Sequence, residues 1–258
     1  MKFKSPIKDP NSFVSSEVIK QIIPKEKKIN SFLLFSGDIE FSLFSSGYDI
    51  WLNTNKYVIY EFWRCAINNS VNVADQAISI HKKTHPQSIY QYQDEWPKYR
   101  DPYLRSALFY LLNRYSPSGT ISHGHVSKEN FSLLSLETLK RFQQFTKDVN
   151  LHYYKEEYFL NGLDMISESD LLLFPAGKYS YSLIGKQTYK GYETYHLDHR
   201  DLRKTLSELG NDFVIVYKNH PRLLSDFKDY NHLLVNKFGK PTNNINLAED
   251  VIITNLSV

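Results

Sequence analysis

The sequence has few of the residues that mark disulfide-rich, metal-binding or membrane-spanning proteins. Cys65 is its one cysteine, which excludes an internal disulfide and a metal site built from several cysteines. No apolar stretch approaches the roughly 18 residues of a membrane span, and the first residues lack the apolar segment of a secretory signal. We therefore expect a cytoplasmic protein without a membrane partner.

An excess of charge of one sign is also lacking. The chain carries 31 Lys and Arg against 28 Asp and Glu, a formal net charge of +3, so any nucleic-acid site has to come from clustered charge. Aromatic residues are abundant by contrast, with 19 Tyr and 16 Phe, and hydrophobic residues make up 41% of the 258 residues. This composition excludes a disordered chain. The length of 258 residues suffices for one α/β domain with a large insertion or for two small domains.

The first part of the chain has the pattern of a βαβ unit. The apolar run 32–35 predicts a buried strand that stops at Ser36-Gly37, and 39–44 predicts an apolar helix closed by Gly47. A second strand at 49–53 and a helix that begins near Lys56 follow. Such a unit is the start of a parallel sheet.

The middle of the chain differs from the final third. Residues 87–98 have little periodicity, 104–112 predict a buried helix and 115–125 a loop, which together suggest an insertion. The final third returns to alternating helices and strands, with helices predicted at 133–149 and 200–209 and strands at 151–154, 170–175, 213–217, 233–236 and 249–255. Pro175 is expected to halt its strand. These patterns predict an open α/β sheet with an insertion between its halves.

Short motifs occur in one order along nearly the whole chain. They lie at 4–8, 35–37, 52–55, 109–119, 170–174, 198–199, 216–219 and 249–255. In this order they resemble the motifs of Dam-type DNA adenine-N6 methyltransferases. Phe109-Tyr110-Leu111-Leu112-Asn113-Arg114, with Ser118-Gly119 downstream, is similar to the family pattern YFLNRxxFxG, for example.

The resemblance implies an α/β fold with a Rossmann-like methyltransferase sheet and an inserted, mainly helical target-recognition domain. It assigns 1–58 and 131–258 to the sheet domain and 59–130 to the DNA-binding insertion. It also implies double-stranded DNA as a partner and S-adenosylmethionine as a cofactor. The residues that match the family's cofactor site are Phe35, Gly37, Asn53 and Thr54.

The departures from the family pattern fall on the cofactor and catalytic motifs. Asn11-Ser12-Phe13 replaces the family's Gly-Gly-Lys, Ile39 replaces a glycine, and Thr54 replaces an acidic residue that binds ribose. The catalytic Asp-Pro-Pro-Tyr has become Phe174-Pro175-Ala176-Gly177. Phe174 cannot accept a hydrogen from an adenine amino group, and Gly177 has no ring to stack on a flipped base. We therefore expect no catalytic residue in this loop and no bound cofactor.

Three apolar side chains replace small or polar ones in these motifs. We predict that Phe13, Ile39 and Phe174 fill the place of the cofactor and line a shrunken cavity. No metal site is predicted, because His123 and His125 have no acidic or cysteine partner at ligand spacing and the acidic residue beside His196 and His199 has a simpler role. Asp198 is interpreted as a helix N-cap.

Hydrogen-bond donors of the insertion could meet phosphates or guanine edges. Arg114 and Ser118 lie in the matching motif and are the preferred candidates. The further predicted DNA contacts are Arg100, Arg105, His123, Lys128 and, in the Tyr-rich stretch after the degenerate loop, Lys186. Each of these residues is also compatible with an ordinary charged surface.

Three functions remain open from the sequence. The first is a non-catalytic Dam-like protein that binds duplex DNA, as a partner or regulator of an active methyltransferase. The second is a divergent but active S-adenosylmethionine-dependent adenine-N6 methyltransferase that uses Asp170 or the Tyr179–Tyr181 pair. The third is a protein-interaction subunit without DNA affinity.

Overall fold

The computed structural model describes residues 3–122, 124–142, 149–155, 163, 166–179 and 197–257. These residues form two compact units. The first unit contains the described residues of Met1–Pro10 and Lys56–Tyr153, and the second contains those of Asn11–Asn55, Tyr154–Thr188 and Tyr195–Val258. Each unit is described by itself below.

The helices and strands alternate in the second unit, whereas helices dominate the first. The α-helices are α1 (Ser16–Ile22), α2 (Asp38–Phe44), α3 (Tyr57–Lys83), α4 (Ile89–Glu95), α5 (Pro102–Tyr115), α6 (Leu133–Arg141), α7 (His199–Glu208) and α8 (Leu223–Asp226). The strands are β1 (Ile29–Ser31), β2 (Ile50–Thr54), β3 (Asn150–Tyr153), β4 (Leu171–Gly177), β5 (Asp212–Lys218), β6 (Asn231–Asn236), β7 (Pro241–Thr242) and β8 (Ala248–Thr254).

The second unit is built on a mixed sheet with the strand order β2-β1-β4-β5-β8-β6-β7. β1 pairs in parallel with β2 and with β4, and β4 pairs in parallel with β5. β8 is antiparallel to both β5 and β6. A βαβ unit and the α/β class are present as predicted, although the first strand of the unit lies at Ile29–Ser31 rather than at 32–35, and the sheet is compatible with a Rossmann-like fold.

The prediction that Pro175 halts its strand is wrong. β4 continues to Gly177, with an irregular register between Pro175 and Gly177. The backbone of Leu171 and that of Leu173 bond towards β1, so the alternation along β4 turns the nitrogen of Pro175 to the same side. β1 has already ended there, since its last pair is Ser31 with Leu173. The missing N–H of proline therefore costs no ladder hydrogen bond.

The prediction of a strand at 32–35 is also wrong. β1 ends at Ser31, and 32–35 form the loop between β1 and α2. Leu33 has φ of 65°, the one positive φ of a non-glycine residue in the part of the chain that the structure describes. This left-handed conformation breaks the strand at a cost of about 1–2 kcal/mol. Phe32 and Leu33 are nevertheless buried in the core, which explains why the run is apolar without being extended.

Aromatic packing holds the helices of the first unit together. Phe62 of α3 packs against Phe109 of α5 with ring centroids 5.0 Å apart, and Trp63 lies 5.2 Å from Phe142. α3 is kinked at Asn69, whose φ of −160° and ψ of 79° are not helical. Cys65 of α3 is buried, and this burial raises the pKa of its thiol. None of the described helices combines the length and hydropathy needed to cross a bilayer.

The compact units divide the chain at other points than the predicted boundaries 1–58, 59–130 and 131–258. Residues 3–10 belong to the first unit because Lys8 and Asn113 exchange backbone-to-amide hydrogen bonds of 2.7 and 2.8 Å. α6 and β3 also belong to this unit rather than to the sheet unit. That the first unit recognises DNA remains a prediction.

Candidate functional site

The carboxyl ends of β1 and β4 mark the topological switch point of the sheet. The chain proceeds from β1 to β2 on one side of β1, whereas β4 pairs with its other side. In open α/β sheets ligands bind in the crevice outside the carboxyl ends of strands at such a point. The motifs that the resemblance assigns to the cofactor and to catalysis, 35–37 and 174–177, both lie at this edge of the second unit.

Two phenylalanine rings stack just beyond the last residue pair of β1 and β4, at the switch point. Phe174 of β4 is completely buried, and its ring stacks on that of Phe32 with centroids 5.5 Å apart and planes inclined by 20°. Tyr154 contacts Phe32 edge-on at 6.3 Å. The predicted catalytic position is therefore part of the hydrophobic core. Ile39 is also completely buried, whereas Phe13, the third predicted filling residue, is only partly buried.

The end of the degenerate loop has no room for a side chain. Gly177 has φ of 72°, and a Cβ placed on it would lie 2.5 Å from Cγ and Nδ2 of Asn11. Both features require glycine, because the φ is left-handed and the space beside the Cα is occupied by an amide. Asn11 belongs to the segment that replaces Gly-Gly-Lys, so the structure brings two of the altered motifs into contact.

A buried ion pair anchors this first segment to the sheet. Nζ of Lys218 donates to Oδ1 of Asp250 at 2.7 Å and to the carbonyl of Ser12 at 2.9 Å. Oδ2 of Asp250 accepts from the backbone N–H of Val14 at 2.7 Å and of Ser15 at 3.1 Å, just before α1. Asp250 is completely buried, and the three hydrogen bonds that its carboxylate accepts make this burial tolerable. The sequence analysis did not identify this pair.

A cluster of hydrogen-bonded aromatic side chains lies beyond the end of β4. Nδ1 of His199 lies 2.9 Å from the hydroxyl of Tyr217, and the ring of Tyr179 lies 4.7 Å from that of His199. The hydroxyl of Tyr179 donates to Oδ2 of Asp226 at 2.6 Å. Burial lowers the pKa of His199 to about 4, although the nearby Asp198 acts in the opposite direction. His199 is therefore neutral at pH 7 and can bond to a phenol as donor or acceptor.

The predicted N-cap is confirmed, and a metal site is not found among the described residues. Oδ1 of Asp198 accepts from the N–H groups of Arg200 at 3.0 Å and Asp201 at 3.1 Å. This capping leaves His199 as the first residue of α7. His196 lies outside the described residues.

The residues that match the family's cofactor site flank the ends of β1 and β2. Gly37 takes φ of 68° at the N-cap of α2, and Phe35 is partly buried. The amide of Asn53 donates to the carbonyl of Ser31 at 3.1 Å, which joins β2 to β1. Thr54 is completely buried. Its hydroxyl could reach a ligand only if the surrounding chain moved.

Glu40 is a buried carboxylate that the sequence analysis missed. It lies in the first turn of α2, and its Oε1 accepts from the hydroxyl of Ser31 at 3.1 Å. An acidic residue two positions after Asp38, at the start of an otherwise apolar helix, was the signal that could have identified it. A carboxylate near a helix N-terminus is favoured by the helix dipole.

Arg105 and Lys128, predicted as DNA contacts, make bonds inside the first unit. The guanidinium of Arg105 forms a bidentate ion pair with Glu61 and donates to the carbonyl of Tyr99. Lys128 Nζ donates to the carbonyl of Thr84 at 2.9 Å, just after the end of α3. A contact of Arg105 with DNA would require that its buried partner Glu61 be left unpaired, which is costly.

The other predicted DNA contacts are more accessible. Arg100 and Ser118 are exposed, and Arg114 is partly buried. The hydroxyl of Ser118 donates to that of Thr120 at 3.2 Å. His123 and Lys186 lie outside the described residues.

Comparisons with known proteins give no independent identification. No protein-family model matches the chain, and no curated protein is significantly similar to it. The Dam-type resemblance therefore rests on the ordered motifs alone.

Proposed function

We propose that this protein is a Dam-like DNA-binding protein that does not transfer methyl groups, and that it binds duplex DNA as a partner or regulator of an active methyltransferase. The observation that carries the absence of methyl transfer is the stack of Phe32 and Phe174 at the switch point. A cofactor or a flipped base at this point would have to displace a completely buried ring. The arrangement favours a stable core over a binding crevice.

The chemistry of the loop supports the same conclusion. Transfer to an adenine amino group needs an acceptor that takes its hydrogens and localises its lone pair, and loss of one such preorganised group costs roughly 10²–10³ in rate. Phe174 provides no acceptor, and Gly177 provides no stacking ring. Asn11 occupies the space that a side chain at position 177 would need. Both losses fall in the last four residues of β4. Catalysis by the family's mechanism is thereby disfavoured.

The observations also count against the active-enzyme alternative built on Asp170. Asp170 precedes β4, at the amino end of the parallel strands and thus at the edge opposite the switch-point crevice. Its Oδ2 accepts from the amide of Asn30 at 2.8 Å and lies 3.7 Å from Nζ of Lys28. Tyr179, the other suggested acceptor, is bonded to Asp226. Tyr181 lies outside the described residues.

The DNA-binding part of the proposal is tested with a labelled duplex at several salt concentrations. We expect binding at low salt that weakens linearly on a logarithmic salt scale, because phosphate contacts release counterions. Arg100→Ala should reduce that slope by about one. Lys204→Ala, which removes an exposed cation from the second unit, is the matched control and should leave the slope unchanged.

The outcomes separate the three functions. Duplex binding without transfer of a labelled methyl group supports the proposal. Methyl transfer from S-adenosylmethionine would establish the divergent enzyme instead. The absence of DNA binding at any salt concentration would leave the protein-interaction subunit as the remaining hypothesis.

A further inference from the structure

Three tyrosines and an arginine form an aromatic and basic surface on the first unit. Tyr57, Tyr60 and Arg64 are spaced by three and four residues, so they share one face of α3. Tyr153 of β3 completes the group, which is called the tyrosine platform below. Its ring lies 5.5 Å from that of Tyr57 and 5.6 Å from that of Tyr60.

The platform is accessible. Tyr57 is 49% exposed, Tyr60 and Tyr153 are partly exposed, and Arg64 is exposed. The guanidinium carbon of Arg64 lies 5.9 Å from the centre of the Tyr60 ring, within the range of a cation–π contact. Large aromatic side chains that cluster at a surface leave apolar ring faces in water, which favours a ligand that covers them.

The ring of Tyr57 is held in place from below. Its hydroxyl donates to Oε2 of Glu61 at 3.1 Å, and Glu61 is in turn fixed by the bidentate ion pair with Arg105. This ion pair also neutralises the carboxylate of the cluster, so Arg64 remains as its exposed charge. A ligand that meets the platform therefore encounters fixed ring faces beside one positive charge.

We infer that the tyrosine platform stacks the unpaired bases of a single-stranded nucleic acid, with Arg64 at a neighbouring phosphate. Every base has a π-face, and proteins that bind single strands combine aromatic faces with a basic surface. The exposed positive charge of Arg64 beside the rings favours an anionic ligand over an apolar peptide. The inference rests on the proposed nucleic-acid binding, but it names unpaired bases rather than a duplex as the ligand of this surface.

The test compares a labelled oligothymidylate with a duplex of the same length, using the full chain and fluorescence anisotropy. Tyr57→Leu and Tyr60→Leu should each weaken binding of the single strand by about tenfold or more, since a stacked base contributes on that order. Tyr57→Phe keeps the ring but loses its hydrogen bond to Glu61, and it should weaken binding less than Tyr57→Leu does. Tyr90→Leu is the matched control, because Tyr90 is also 49% exposed in the same unit.

A substitution of the arginine tests the platform without changing its aromatic rings. Arg64→Gln should lower the salt dependence of single-strand binding by about one phosphate contact while keeping the helix face intact. Thermal melts of every variant establish that it is folded.

The outcomes distinguish the tyrosine platform from the proposed duplex binding. Single-strand binding that is lost in Tyr57→Leu and kept in Tyr90→Leu supports the platform, whether or not the duplex binds. Duplex binding without single-strand binding overturns the platform and leaves the proposed function standing. Binding of neither form overturns both, and equal losses in Tyr57→Leu and Tyr90→Leu overturn the platform alone.

Discussion

Phe174→Asp restores the acidic residue that the resemblance assigns to catalysis, and we expect it to destabilise the protein without restoring activity. Phe174 is completely buried and stacks on Phe32. Removal of a buried phenylalanine side chain costs about 3–5 kcal/mol. The carboxyl group introduced there has no arranged donor in the apolar cluster, which adds about 1–3 kcal/mol even when it is protonated.

The expected loss is therefore about 4 kcal/mol or more, a large part of the roughly 5–15 kcal/mol by which native proteins are stable. Phe174→Leu is the control, since it keeps an apolar group of similar shape and should cost about 1–2 kcal/mol. Urea unfolding followed by circular dichroism measures both variants against the unchanged protein. Equal midpoints for Phe174→Asp and the unchanged protein would mean that position 174 is hydrated. That result would refute the filled switch point.

Three further predictions test other contacts. Gly177→Ala should lower the free energy of unfolding by about 1–3 kcal/mol, because φ of 72° is unfavourable for alanine and the Cβ of alanine would collide with Asn11. Asn11→Gly in the same chain should recover part of this loss. If urea unfolding shows that the two substitutions change the stability additively, the contact is contradicted. The pKa of His199 is about 4 in the folded chain and 6.5 when unfolded, so its contribution to stability is complete above pH 6.5 and is lost as the pH falls towards 4, by at most about 3 kcal/mol. The urea midpoint should fall less over this pH range in His199→Gln, and an identical pH profile would count against the assignment. Arg105→Ala should cost about 3 kcal/mol of stability, because it leaves the buried carboxylate of Glu61 without its cation. Arg100→Ala should leave the thermal midpoint unchanged. A larger fall of the midpoint in Arg100→Ala than in Arg105→Ala would be inconsistent with the ion pair.

The elements that the sequence predicted well have local patterns that indicate one type of secondary structure. β5 and β8 are continuous apolar runs bounded by polar residues, and both were placed within about two residues. α5 begins at Pro102, two residues before the predicted helix 104–112, and Oδ1 of its N-cap Asp101 accepts from the N–H of Tyr103 at 2.7 Å. Local chemistry was sufficient in these places.

Other elements depended on what lay beside them. The run 32–35 is apolar because its side chains enter the core from a loop, and period alone does not separate that case from a buried strand. Pro175 remains in β4 only because β1 ends earlier. The predicted helix 133–149 is described as α6 up to Arg141, and 143–148 lie outside the described residues.

The candidate site was predicted in part for a similar reason. The burial of Phe174 and Ile39 follows from the kind of residue that occupies these positions, so the sequence was enough to predict it. The contact of Asn11 with Gly177 and the ion pair of Arg105 with Glu61 join residues that are distant in the chain. The sequence shows that Arg105 is a potential donor to DNA. That its guanidinium is already paired with the carboxylate of Glu61 can be seen only in the folded structure.

We expect the protein to bind DNA and not S-adenosylmethionine. The most direct measurement is a calorimetric titration of S-adenosylmethionine into the purified protein, with and without duplex DNA. We expect no binding in either titration, because buried rings occupy the switch point. Binding at micromolar or tighter affinity would contradict this account and would favour the active methyltransferase.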